Sequence, residues 1–63
     1  MRNATIGIIS GKVAQLDALI SAMSAGVFED LCETDRGNYV WVMADIVADI
    51  KSEINAAAEV RHG

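Results

Sequence analysis

The chain has no proline, one cysteine, one histidine and only three aromatic residues among 63. Each shortage removes a class of protein. Cys32 has no second thiol, so an intramolecular disulfide is excluded. His62 is the one histidine, so no zinc set of Cys and His ligands can be assembled. Cys32 also lacks a plausible base, and a thiol without one is a packing residue before it is a nucleophile. Basic residues are scarce as well: Arg2, Lys12, Arg36, Lys51 and Arg61 stand singly against nine acidic residues, for a net charge of −4. Without clustered Lys and Arg, neither a nucleic-acid backbone nor an anionic membrane surface is an expected partner. The glycines Gly7, Gly11, Gly26, Gly37 and Gly63 match neither the dinucleotide fingerprint nor the P-loop, so no cofactor is expected.

Long uncharged runs are missing too. The longest inside the helical pattern spans residues 18–28, short of the roughly 20 apolar residues a membrane span needs. Lys12 and Asp17 interrupt the apolar part of any leader-like start. No transmembrane segment and no signal peptide is therefore expected, and the chain is placed in the cytoplasm, where a lone thiol is unremarkable. The absence of proline permits long helices.

What is present is apolar content, 52% of the residues. Ile9, Val13, Leu16, Ile20, Met23 and Val27 follow one another at alternating intervals of four and three, a heptad seam. Val40, Met43, Val47, Ile50, Ile54 and Ala57 repeat the rhythm. Between the seams lies a polar break, Glu33-Thr34-Asp35-Arg36-Gly37-Asn38, holding three capable N-caps and a glycine suited to a left-handed turn. The expected fold is all-α: one domain over residues 1–63, with a helix over about 6–32, a turn at 33–38 and a helix over about 38–60. Arg61 and His62 then suit the negative end of the second helix dipole.

Two points stay open in the sequence. Asn3, Thr5 and Ser10 are each capable caps for the first helix, and Gly7 and Gly11 weaken a helix by about 1 kcal/mol each relative to Ala. Order over residues 1–10 is thus undecided. Residues 38–43 are rich in β-formers, but the unbroken seam from Met43 to Ala57 and the want of a second strand favour helix.

A connection this short forces the helices antiparallel. Sixty-odd residues without a disulfide or metal make a marginal fold, which usually calls for a partner subunit. The hairpin is accordingly expected to pair into a four-helix bundle as a homodimer. Phe28, Tyr39, Trp41 and Val42 are the expected contact residues, because buried aromatics dominate interface energies. Two acidic groups stand out: Asp45, Asp49 and Glu53 in one row on the second helix, and Glu29, Asp30 and Glu33 near the turn, with Asp35 close by. They read first as solvated faces that keep the bundle soluble. The alternative is an acidic regulator or inhibitor in which they meet a basic, nucleic-acid-binding protein surface. Hard cations need six or more close oxygen ligands, which this row does not promise. The sequence thus favours a small non-enzymatic protein–protein interaction module.

Overall fold

A computed structural model describes the backbone of residues 3–62 and the side chains of residues 3–59. Arg2 and the side chains of Arg61 and His62, read above for charge and for the helix dipole, lie outside the described residues. The chain forms α1 (Asn3–Ser24), a 3-10 turn (Val27–Asp30) and α2 (Glu33–His62), with no strand among the described residues. The β-forming stretch at 38–43 is helical, and α1 continues through both Gly7 and Gly11. Lys12 on α1 reaches Asp49 on α2, and Leu19 further along α1 meets Tyr39 earlier on α2. The two helices therefore run antiparallel, and the hairpin is as expected.

The turn is not where the polar segment suggests. α1 ends at Ser24 and not near residue 32, because Gly26 adopts φ 92°, ψ −1°, the left-handed conformation that closes a helix C-terminus. Its N–H donates to the Met23 carbonyl at 3.0 Å, and the Ala25 N–H donates to Ser21 at 3.1 Å. The chain then makes one tight 3-10 turn, and Leu31 is extended at φ −80°, ψ 150°. The first backbone bond of α2 runs from the Arg36 N–H to the Cys32 carbonyl at 2.9 Å. Residues 33–38, expected as the turn, are instead the first turns of α2, and Gly37 sits in ordinary helical backbone. Glu33 and Asp35 explain this: carboxylates in a first turn favour the positive end of the helix dipole.

The hairpin is long and thin. Its Cα extents are 48 × 18 × 12 Å. It is a single layer, whereas stable domains enclose a core between two. Among the described residues Ile46 is the one buried hydrophobic side chain, at 7% exposure.

Candidate interaction face

The packed seam is rotated from the one the heptads suggest. On α1 the part-buried positions are Thr5, Ile9, Lys12, Leu16, Leu19, Ala22 and Met23; on α2 Tyr39, Met43, Ile46, Ile50, Glu53 and Ala57 are part-buried or buried. Half of each expected seam thus faces the partner helix: Ile9, Leu16 and Met23 against Met43, Ile50 and Ala57. The other half does not. Val13, Ile20, Val27, Val40, Val47 and Ile54 are exposed.

Specific polar contacts hold that rotation. The Tyr39 hydroxyl donates to the Leu19 carbonyl. Lys12 lies against α2 with its ammonium 3.2 Å from the Asp49 carboxylate. At the elbow, Arg36 donates from Nε to the Phe28 carbonyl at 3.3 Å and from a terminal nitrogen to the Glu29 carbonyl at 2.8 Å. Its guanidinium lies 5.9 Å from the centre of the Phe28 ring. Phe28 meets Tyr39 edge to face, with ring centres 5.6 Å apart and planes at 79°. Arg36, Phe28 and Tyr39 thus form a clasp that fixes the 3-10 turn onto the start of α2.

The expected contact residues therefore divide. Phe28 and Tyr39 are half-buried in the clasp and touch each other. Trp41 and Val42 remain free, Trp41 at 67% exposure on the side of α2 turned away from Tyr39 and Met43. The acidic residues also divide. Glu29, Asp30, Glu33 and Asp45 are exposed, Glu53 is half-buried along the hairpin seam, and Asp49 is engaged by Lys12. Among the described residues, no three His, Cys, Asp or Glu side chains come together as metal ligands. Cys32 is an exposed free thiol at the start of α2.

A second apolar stripe is present, all of it but Ile6 counted above in the expected seams. Ile6, Val13 and Ile20 recur every seven residues on α1, and Val40, Val47 and Ile54 do so on α2. All six are exposed. Ile20, Met23, Val40, Met43 and Val47 line one open groove along the hairpin, with Lys51 at its edge, so the two stripes share a face. The seven-residue spacing was the available signal: a helix with three apolar positions per heptad has one more than a single partner helix covers.

α1 has a further property that the uncharged-run measure missed. It holds 22 residues with only Lys12 and Asp17 charged, and by length and composition alone it is long and apolar enough to cross a membrane. A helix near the N-terminus that serves as a signal sequence passes the same test. Comparison with known proteins finds no matching family model, no matching curated protein and no matching solved structure.

Proposed function

We propose that this chain is a non-enzymatic interaction module whose fold is completed by association, in the first instance with itself as a four-helix bundle. One contrast carries the reading. Ile46 is the single buried hydrophobic side chain among the described residues, while ten large hydrophobic side chains are exposed. At about 25 cal/mol per Å² of apolar surface, covering several of these is worth several kcal/mol, comparable to the whole stability of a small domain.

The soluble, cytoplasmic placement belongs to the same proposal. A membrane location for α1 would separate it from α2, which carries charged residues along its length. That separation would remove the Lys12–Asp49 pair and the Tyr39–Leu19 hydrogen bond. The acidic-regulator reading draws less support, since Lys12 already neutralises Asp49 in the middle of the row.

Folding linked to association makes thermal stability depend on protein concentration. The test is a melt followed by circular dichroism across a hundredfold range of concentration. A midpoint that rises with concentration supports the proposal. A fixed midpoint, or recovery of the protein with floated lipid vesicles, contradicts it.

A further inference from the structure

The geometry points to the groove face as the self-association surface. A second copy of the hairpin packs on the stripes Ile6–Val13–Ile20 and Val40–Val47–Ile54, and the Trp41 side of α2 stays outside the contact. This rests on the proposal that the chain self-associates, and adds which face does so.

Three observations select the occupant. The first is periodicity. Both stripes repeat every seven residues and lie on one side of the hairpin. A seven-residue apolar repeat is the pattern by which helices pack lengthwise on helices. Each stripe spans 14 residues, about 21 Å at 1.5 Å per residue, so the occupant must offer helices of at least that length, side by side. The hairpin itself does.

The second is width. The stripes run about 21 Å along a face 18 Å wide between Cα extents, wider than one helix of about 10–12 Å diameter. A single peptide helix would cover one stripe and leave the other wet.

The third is charge. The chain carries −4, yet this face holds little of it. Asp49 is two residues from Val47, on another side of α2, and is held by Lys12. The charges beside the stripes have opposite signs. Asp17 lies four residues after Val13 and three before Ile20 on α1, and Lys51 lies four after Val47 on α2. A second copy packed on this face therefore meets no build-up of like charge.

The test compares Val47→Glu with Trp41→Ala by size exclusion with light scattering, with helicity checked by circular dichroism. The inference expects wild type and Trp41→Ala at a multiple of the 6.7 kDa chain mass, and Val47→Glu shifted to 6.7 kDa. Should Trp41→Ala dissociate the assembly while Val47→Glu leaves it intact, this face is overturned but self-association stands. Should wild type be monomeric at every concentration, both fall. If Val47→Glu loses its helicity, the decision passes to the conservative Val47→Cys in a Cys32→Ser background, treated with a short bismaleimide. Cross-linked dimer at position 47 and none for Trp41→Cys in the same background supports the inference, and the reverse overturns it. Recovery of wild type on phosphatidylcholine vesicles, abolished by Val47→Glu, overturns a second copy as the occupant.

Discussion

Gly26 and Gly37 are eleven residues apart and stand in opposite conformational states. Gly26 has φ 92°, which a residue with a Cβ adopts only under strain, whereas Gly37 lies in regular helix with open space around an added Cβ. Alanine at Gly26 is expected to destabilise the hairpin by about 1 kcal/mol or more. Alanine at Gly37 is expected to stabilise it by about 0.5–1 kcal/mol. Urea unfolding of the two variants checks both signs, and equal effects would contradict the placement of the turn. The clasp makes a second residue-scale prediction. Arg36→Ala removes two hydrogen bonds to carbonyls and a cation–π contact, and is expected to cost about 1–2 kcal/mol. An unfolding midpoint unchanged from wild type would show the clasp to be ornamental.

At the scale of the helices, the sequence was legible in its rhythm and illegible in its rotation. Alternating fours and threes from Ile9 to Val27 and from Val40 to Ala57 announced two helices, and both are present. Which neighbouring stripe faces inward was settled by groups the apolar pattern does not weigh. Lys12 pairs with Asp49 across the two helices, and half-buried Tyr39 donates its hydroxyl to the Leu19 carbonyl. Both turn the helices so that Val13, Val40, Val47 and Ile54 stay outside. The turn was misplaced for a related reason. Polar residues with a glycine at 33–38 resemble a loop in composition, but the same carboxylates suit a helix start, and Gly26 had already ended α1. The Lys12–Asp49 pair is only partly shielded from water, so Asp49→Asn is expected to cost under about 1 kcal/mol. That cost should shrink further in molar salt, and a larger loss that persists there would mean the pair does more than orient the helices.

At the scale of the molecule, a single layer of two helices cannot enclose what it carries. Lengthening the helices would not help, since each added turn brings its own outward stripe. Covering the broad face does help, and a second hairpin would turn one layer into two around a shared core. The interaction face was half legible in the sequence. The small size without a disulfide or metal pointed to a partner, but the aromatics drew the site toward Phe28 and Tyr39, which the structure places in the elbow. The aliphatic stripes, counted as the hairpin's own seam, are the residues left free. Sedimentation equilibrium at micromolar concentration tests the need for a partner most directly. A mass of twice 6.7 kDa, or a higher multiple, is the predicted result; a folded, helical species of 6.7 kDa that stays monomeric as concentration rises would contradict it.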